Sequence, residues 1–208
     1  MALVDDLAAR VDGLVARSDR RVLIGIAGEP GAGKSTLAEA LVAGLGGFPR
    51  VAHVPMDGFH LARVELVRLG RADRMGAPDT FDPAGYATLL RRVRNGDTVW
   101  APNFERTLEQ PLAQAIPVVR ETRIVVSEGN YLLLRDEAWR AVRAEFDEGW
   151  FCRMDDGARV RQLIERHIEF GKTPDEAREW VYRSDEANAA LVRASASAAD
   201  LIVDLTQL

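Results

Sequence analysis

The segment Gly28-Glu29-Pro30-Gly31-Ala32-Gly33-Lys34-Ser35 fits the pattern G-x-x-x-x-G-K-[ST]. An apolar run, Val22–Ala27, precedes it and predicts a buried strand, while Leu37, Leu41 and Leu45 follow at helical spacing. In a loop between a strand and a helix, glycines let backbone N–H groups converge on phosphate oxygens at the positive end of the helix. A plain strand-to-helix turn is the alternative, but the pattern and its flanks favour a loop that binds phosphates.

Each residue type in this loop has a task in triphosphate binding. We expect Lys34 to place its charge between the β and γ phosphates and the Ser35 hydroxyl to ligate Mg²⁺. ATP and GTP both fit such a loop, and we take ATP as the expected nucleotide. The residues expected to bind it are Gly28, Gly31, Ala32, Gly33, Lys34, Ser35 and Thr36.

Further short apolar runs alternate with helical patterns along the chain. The additional strands are predicted at Val51–Val54, Arg123–Ser127, Gly149–Met154 and Leu201–Val203. Helix-start signals occur at Asp82-Pro83 and at Thr173-Pro174-Asp175-Glu176, and the proline-containing segment Thr98–Val119 predicts a strand or hairpin insertion. The pattern predicts an α/β, three-layer fold with a parallel sheet, helices on both faces and a short helical lid. We expect a single domain over residues 1–208.

The composition of the chain argues against nucleic-acid and membrane partners. The chain has 208 residues and a net charge of −5, which argues against a nucleic-acid partner because Lys and Arg supply most non-specific affinity for phosphates. No apolar run is long enough to cross a bilayer, and Met1–Arg17 lacks the pattern of a secretory signal. The single cysteine, Cys152, cannot form an internal disulfide. We therefore expect a cytoplasmic protein without a membrane partner; the oligomeric state stays open, a homodimer included.

Two acidic residues follow predicted strands, at the edge where an open parallel sheet binds its ligands. Asp57 follows the second strand, within Pro55–His60, and Glu128 follows the third. We expect both carboxylates to flank the γ-phosphate, with Asp57 accepting the proton of a hydroxyl and Glu128 holding Mg²⁺ or its waters. An ordinary Asp-Gly turn and a solvated strand end are the alternatives. His60 lies close to Asp57 and is a candidate contact for the phosphate acceptor.

Other nucleotide-binding classes have signatures that this sequence lacks. It contains neither the Asn-Lys-x-Asp of GTPase switches nor the Leu-Ser-Gly-Gly-Gln of transporter ATPases. A small-molecule kinase is the interpretation that remains. An ATPase without a phosphoacceptor and a non-catalytic nucleotide-sensing module stay as alternatives, and turnover that depends on an added alcohol would separate the kinase from both.

Six segments together resemble the phosphoribulokinase/uridine kinase family of P-loop kinases, which includes bacterial pantothenate kinase. Within it, kinases assigned to fructose transport systems are the most similar. The matching segments are Gly28–Thr36, Pro55–His60, Met75–Asp82, Phe104–Arg106, Glu128–Leu133 and Asp185–Ala189. Asp-Gly-Phe-His joined to Gly-Ala-Pro-Asp-Thr-Phe-Asp is the most specific part. Close relatives usually have a basic residue where this chain has Met75.

The resemblance implies a kinase that moves the γ-phosphate of ATP to a hydroxyl of a small polar metabolite, such as a nucleoside, a sugar or a pantothenate-like acid. It also implies Asp57 as the base and an arginine-rich lid near residues 156–175, in which Arg166 is catalytic. We expect segments near residues 60–82 and 98–119 to cover the acceptor. The candidate acceptor contacts are His60, Arg74, Phe81, Phe104, Arg106 and Tyr131.

The remaining polar and aromatic residues carry weaker expectations. Arg159 shares a helix face with Arg166, and a solvated face is the alternative to phosphate contact there. Asn188 lies on an apolar helix face, where we expect a satisfied core amide, with adenine or lid contact as the alternative. The residues expected to serve packing alone are His53, His167, Trp100, Trp139 and Trp150.

Overall fold

The computed structural model describes residues 2–206. Its strands are β1 (Val22–Gly28), β2 (Val51–His53), β3 (Val99–Glu105), β4 (Gln110–Val118), β5 (Ile124–Glu128), β6 (Glu148–Arg153) and β7 (Leu201–Asp204). Five of them form a parallel sheet in the order β2-β5-β1-β6-β7. Every residue of β1 and β5 is buried. This explains their nearly continuous apolar sequences, because strands of a parallel sheet are covered on both faces.

Helices cover both faces of the sheet. They are α1 (Ala2–Ala16), α2 (Lys34–Gly44), α3 (Arg63–Arg68), α4 (Pro83–Arg94), α5 (Glu137–Arg143), α6 (Asp156–Glu169), α7 (Pro174–Trp180) and α8 (Glu186–Ala194), with a π-helical segment, Val181–Asp185, between the last two. Helices α1 and α2 pack against one face, and α4, α5 and α8 pack against the other. The predicted α/β fold is therefore confirmed.

The order of the strands brings three chain segments to one edge of the sheet. The glycine-rich loop leaves the central strand β1, Asp57 follows β2, and Glu128 is the last residue of β5. Because these strands are parallel, all three segments lie at their carboxyl ends, which is where ligands bind in such sheets.

Strands β3 and β4 form a separate antiparallel hairpin beside this edge, so the hairpin expected at Thr98–Val119 is confirmed. The expectation that Trp100 is a core residue was wrong, because its side chain is 58% exposed. Its neighbours Val99 and Ala101 are buried. Since side chains alternate along a strand, the hairpin directs Trp100 outward.

Local signals set the helix boundaries as the sequence predicted. The Asp82 carboxylate accepts a hydrogen bond from the Gly85 N–H at 2.8 Å at the start of α4. Thr173 and Glu176 form the capping box that begins α7. Over residues 2–206, no helix is both long enough and apolar enough to span a bilayer.

Candidate active site

The glycine-rich loop leaves backbone donors free at the start of α2. Gly31 and Gly33 both have φ of +78°, a left-handed conformation that glycine adopts without strain. Within residues 2–206, the N–H groups of these two glycines have no hydrogen-bond partner. A Cβ on Gly31 would lie 2.7 Å from Leu163 Cγ, so α6 packs directly on the loop. The loop therefore fits a phosphate group, because unpaired N–H groups at a helix N-terminus bind anions.

Lys34 and Glu128 are buried charges at the carboxyl edge of the sheet. The Lys34 ammonium donates a hydrogen bond to the Glu29 carbonyl at 2.9 Å, and burial lowers its pKa. The Ser35 hydroxyl donates to Glu128 Oε1 at 3.1 Å. Burial raises the pKa of Glu128 to about 7, with a contribution from the charge of Asp57, while Lys34 and Ser35 oppose this rise. Lys34 and Ser35 begin α2, directly after the glycine-rich loop, and Glu128 ends β5, the strand beside β1.

Asp57 lies in a short 3₁₀ turn, Met56–Phe59, after β2. This turn is fixed against the hairpin, since a Cβ on Gly58 would lie 2.4 Å from the Pro102 carbonyl oxygen. One carboxylate oxygen of Asp57 lies 3.6 Å from an Nη atom of Arg106. Glycine at position 58 thus lets the hairpin bring Arg106 to Asp57.

A small polar network beneath the site joins the segments that carry the carboxylates. The buried Tyr86 hydroxyl bonds with the Ser127 hydroxyl, which donates to the Val54 carbonyl. Ser127 directly precedes Glu128, and Val54 precedes the turn that holds Asp57. Since buried polar groups that are hydrogen-bonded have defined positions, we infer that this network fixes the two segments relative to each other.

His60 presents one ring nitrogen to the protein and the other to the cavity. Its Nδ1 lies 2.8 Å from the Asp57 carbonyl oxygen, and a carbonyl can only accept, so Nδ1 carries the proton. Burial lowers the pKa of His60, which favours the neutral ring with an unprotonated Nε2. Phe81 and Phe104 hold the ring at centroid distances of 3.9 Å and 4.8 Å.

Helix α6 lies over the loop and supplies Arg166. Burial lowers the pKa of Arg166, and the positive charge of Arg106 adds to this effect. Within residues 2–206, the Arg166 guanidinium makes no hydrogen bond or ion pair to another side chain. The Arg106 guanidinium also lies 5.9 Å from the ring centroid of Phe170, so the hairpin tip contacts the C-terminal end of α6.

Arg159 is buried, in contrast to the solvated position considered for it. Its side chain is 1% exposed; Nη1 donates to the Pro30 carbonyl at 3.2 Å, and Nη2 donates to Glu186 at 2.6 Å. Glu29, in the glycine-rich loop, lies 3.3 Å from Arg159 and accepts two hydrogen bonds from Arg193. The carboxylates of Glu29 in the loop and of Glu186 in α8 thus compensate the charge of Arg159 in the interior.

Polar residues of the π-helical segment and α8 also face this region. His167 was expected to serve packing alone, but its Nε2 bonds with Asp185 at 2.8 Å. Asp185 ends the π-helical segment, and such segments are frequent at functional sites. Asn188, expected to be a core amide, is half-buried and lines the cavity instead.

One cavity of about 400 Å³ unites the loop, the carboxylates, the hairpin tip and the lid helices. Among the predicted site residues, those that line it are Gly31, Lys34, Ser35, Asp57, His60, Phe81, Phe104, Arg106, Glu128 and Arg166. Two predicted acceptor contacts lie elsewhere. Arg74 is exposed and pairs with Asp79 at 2.7 Å. Tyr131 is fully buried, and its hydroxyl donates to the Gly76 carbonyl.

Sequence reasoning did not single out several cavity residues. They are Arg63, Glu109, Phe170 and Trp180. Most lie in irregular segments or at helix ends, where periodicity gives no facing direction. For Arg159 a signal existed: Glu29 stands among small residues of the loop, and a buried carboxylate there needs a cation.

A second cavity of about 360 Å³ opens on the hairpin side of Asp57. It shares Ser35, Asp57 and Glu128 with the first and also contacts His53. Burial lowers the pKa of His53, and its Nε2 has no partner among residues 2–206. Both carboxylates are therefore reached from two sides.

Comparison with known proteins gives relatives over most of the chain, although no protein-family model matches it. The uncharacterized protein YggC of Escherichia coli is 34% identical over 191 residues, which cover 90% of this chain and 79% of that protein. The "Putative uridine kinase C227.14" of Schizosaccharomyces pombe is 31% identical over 203 residues, which cover 92% of this chain and 86% of that protein.

A solved structure extends the similarity to three dimensions. The "putative fructose transport system kinase" from Silicibacter sp. TM1040 superposes with a TM-score of 0.84 and is 35% identical. The match covers 95% of this chain and 98% of that one. The expected resemblance is therefore confirmed at the levels of sequence and fold.

Proposed function

Since the chain belongs to the family of uridine-kinase-like P-loop kinases, we propose that it transfers the γ-phosphate of ATP to a hydroxyl of a small polar metabolite. The single observation that carries this proposal is the shared cavity. It brings a carboxylate that can accept a proton, Asp57, together with the phosphate-binding Lys34 and with a lid arginine, Arg166. The substrate that appears in a relative's name, such as uridine, describes that relative and does not identify the acceptor of this chain.

The loop and its lysine bind the phosphates. The free N–H groups of Gly31 and Gly33 and the ammonium of Lys34 converge on the oxygens of the β and γ phosphates. Lys34 then exchanges its hydrogen bond to the Glu29 carbonyl for contacts with phosphate oxygens. These contacts hold the γ-phosphorus in a fixed position, and positioning supplies most of the catalysis in phosphoryl transfer.

Asp57 acts as the general base. The acceptor hydroxyl gives its proton to the Asp57 carboxylate while its oxygen bonds to the γ-phosphorus. The bond from that phosphorus to the β–γ bridging oxygen breaks, and ADP leaves with the electron pair. Arg166 faces the same cavity and stabilises the negative charge that spreads over the transferred group.

Ser35 and Glu128 would hold Mg²⁺. Their oxygens are in mutual contact at 3.1 Å, and this fits Mg²⁺, which is usually bound by one or two protein groups together with substrate phosphates. When bound, the ion neutralises charge on the β and γ phosphates. Glu128 must be ionised for this role, so burial that raises its pKa makes the site sensitive to pH near neutrality.

A panel of hydroxyl acceptors tests the proposal. With Mg-ATP present, ADP release should depend on an added sugar, nucleoside or pantothenate-like acid. The same release without any acceptor would favour an ATPase, and tight nucleotide binding without release would favour a sensing module. Phosphorylation of a protein or an oligonucleotide, with no activity on the panel, would contradict the small-molecule proposal.

Residence in the cytoplasm and the absence of nucleic-acid and membrane partners remain predictions, and a homodimer remains open.

A further inference from the structure

The guanidinium of Arg106 lines the cavity, but the transfer step described above gives it no role. It sits at the hairpin tip, beside the carboxylate expected to act as base. We propose that the acceptor is a hydroxy compound bearing an anionic group, a carboxylate or a phosphate ester, and that this group takes Arg106 away from Asp57 as it binds. This inference rests on the proposed kinase function and names the class of its acceptor.

The contact between Arg106 and Asp57 is a loose ion pair. The two closest atoms are 3.6 Å apart, and the side chains are 46% and 33% exposed. Within residues 2–206, the Arg106 guanidinium makes no hydrogen bond to the protein. Such partly exposed pairs contribute little stability, so a ligand anion with better geometry can displace the Asp57 carboxylate.

A second guanidinium shares the cavity. Arg106 and Arg166 are close enough for the charge of one to lower the pKa of the other. The γ-phosphate would neutralise Arg166 in the proposed reaction, which leaves Arg106 without an anion of its own if Asp57 takes up a proton. Planar guanidinium groups bind carboxylates and phosphates through paired hydrogen bonds.

The other carboxylates near Arg106 do not supply that anion. Glu128 accepts a hydrogen bond from Ser35 and would hold Mg²⁺. Asp185 is bonded to His167. Glu109 is exposed at the hairpin tip and forms no ion pair within residues 2–206. Arg63 lines the same part of the cavity, and its side chain likewise pairs with none of the described residues. An acceptor anion would therefore meet two arginines on this side.

His60 would bind a hydroxyl of the acceptor and not its anionic group. Its Nδ1 donates to the Asp57 carbonyl, so the neutral ring offers Nε2 as a hydrogen-bond acceptor toward the cavity. A hydroxyl can donate to that nitrogen, whereas a carboxylate cannot. The cavity thus accepts a hydroxyl beside His60 and Asp57 and an anion beside Arg106, and Phe81 and Phe104 form apolar walls around the imidazole.

Displacement of Arg106 would also activate the base. While the guanidinium lies 3.6 Å from one oxygen of Asp57, it occupies space beside the carboxylate that the acceptor hydroxyl must reach. When the acceptor anion binds Arg106, Asp57 becomes free to take the hydroxyl proton. An acceptor without the anion would leave the ion pair in place and react more slowly.

Matched pairs of acceptors test this inference. The pairs are D-glycerate with glycerol, pantothenate with pantothenol, and ribose 5-phosphate with ribose; the first two probe carboxylates and the third a phosphate ester. In the wild type, we expect kcat/KM for the anionic member of at least one pair to exceed that of its neutral partner by on the order of 10- to 100-fold. Arg106→Gln should abolish this preference, and Arg106→Lys should keep part of it. Arg120→Gln, which removes an exposed charge, should change nothing.

The neutral alcohols separate this role from a structural one. Arg106→Gln should lower kcat/KM for the anionic members far more than for the neutral alcohols, whereas a merely structural role predicts the same loss with every acceptor. Neutral and anionic members that react equally well in the wild type would overturn the anion proposal and leave the kinase function standing.

A binding measurement keeps the inference testable without turnover. If ATP is hydrolysed and no acceptor is phosphorylated in any arm, the proposed function fails. Calorimetric titration of each acid and its neutral partner into protein with Mg-ADP then examines the anion site alone. Tighter binding of an acid that is lost in Arg106→Gln supports the site, and equal binding within every pair overturns it.

Discussion

A buried ammonium and a buried carboxylate, Lys34 and Glu128, lie near each other at the carboxyl edge of the sheet. Such an arrangement is expensive for stability unless each charge has partners. Ser35 and the Glu29 carbonyl supply some of them, and bound phosphates and a cation would supply the rest. The incompletely paired charges of Lys34 and Glu128 therefore destabilise the ligand-free protein, and ligand binding should remove this destabilisation.

The first prediction concerns Lys34. Lys34→Ala should weaken Mg-ATP binding by roughly 1.5–3 kcal/mol, because it removes a charge-assisted contact to phosphate. Isothermal calorimetry measures this, with circular dichroism to establish that the variant is folded. Arg20→Ala is the matched control, since it removes an exposed positive charge. Unchanged affinity in a folded Lys34→Ala protein would rule out its phosphate contact.

The second prediction concerns the stability of the protein without metal or nucleotide. Burial raises the folded-state pKa of Glu128 to about 7 from an ordinary value of 4.5. The folded protein therefore binds more protons between these values, and its stability falls as pH rises through that window, with the full loss present above about pH 7. Glu128→Gln should accordingly be more stable than the wild type at pH 8, by on the order of 1–3 kcal/mol.

Urea unfolding at pH 8 and at pH 4.5 measures this difference. The gain in free energy of unfolding should shrink toward zero at the lower pH, where the carboxyl is neutral in the folded protein and about half-ionised in the unfolded chain. Glu121→Gln, at an exposed position, should show no such dependence. A gain that is equal at both pH values would show that the ionisation of Glu128 is not its cause.

At the scale of secondary-structure elements, helices α6 and α8 are fastened to the glycine-rich loop. Arg159 from α6 and Arg193 from α8 both contact Glu29, and Gly31 leaves no space for a side chain beneath Leu163. The N-terminal part of α6 is thus tied to the loop. The hairpin tip contacts the far end of α6, through Arg106 and Phe170.

The third prediction follows from this fastening. Arg159→Leu should lower the free energy of unfolding by about 1.5–3 kcal/mol, because Glu186 loses its partner and Glu29 keeps only Arg193. Arg161→Leu lies on the same helix but is exposed, and it should change stability by less than about 0.5 kcal/mol. Equal effects of the two substitutions in urea unfolding would contradict the role assigned to Arg159.

At the scale of the whole molecule, the sequence predicted the features that periodicity and short motifs encode. The glycine-rich loop, the parallel strands, the hairpin and the capping box at Thr173 occur where their patterns predicted them. What it could not supply was the direction of side chains in irregular or weakly patterned segments. Trp100 turned outward because its strand neighbours face the core, and Tyr131 lies beneath the cavity lining.

In the candidate site, too, the sequence predicted residues that local patterns place and missed contacts that depend on tertiary packing. Strand-end residues such as Asp57 and Glu128 share one cavity, because the topology of a parallel sheet brings strand ends together. Arg159 was misplaced, because its burial depends on Glu29, which is 130 positions away in the chain. Pairings of this kind arise from tertiary packing and leave no local pattern.

The central claim is that the γ-phosphate reaches an acceptor hydroxyl with Asp57 as base, and ³¹P NMR of the reaction products tests it most directly. With an acceptor from the panel and Mg-ATP, we expect one molecule of phosphorylated acceptor to form for each molecule of ADP. In Asp57→Asn, kcat should fall by on the order of 10²–10⁴ while Mg-ATP affinity persists. Formation of ADP with inorganic phosphate alone, at the same rate in both proteins, would contradict the account.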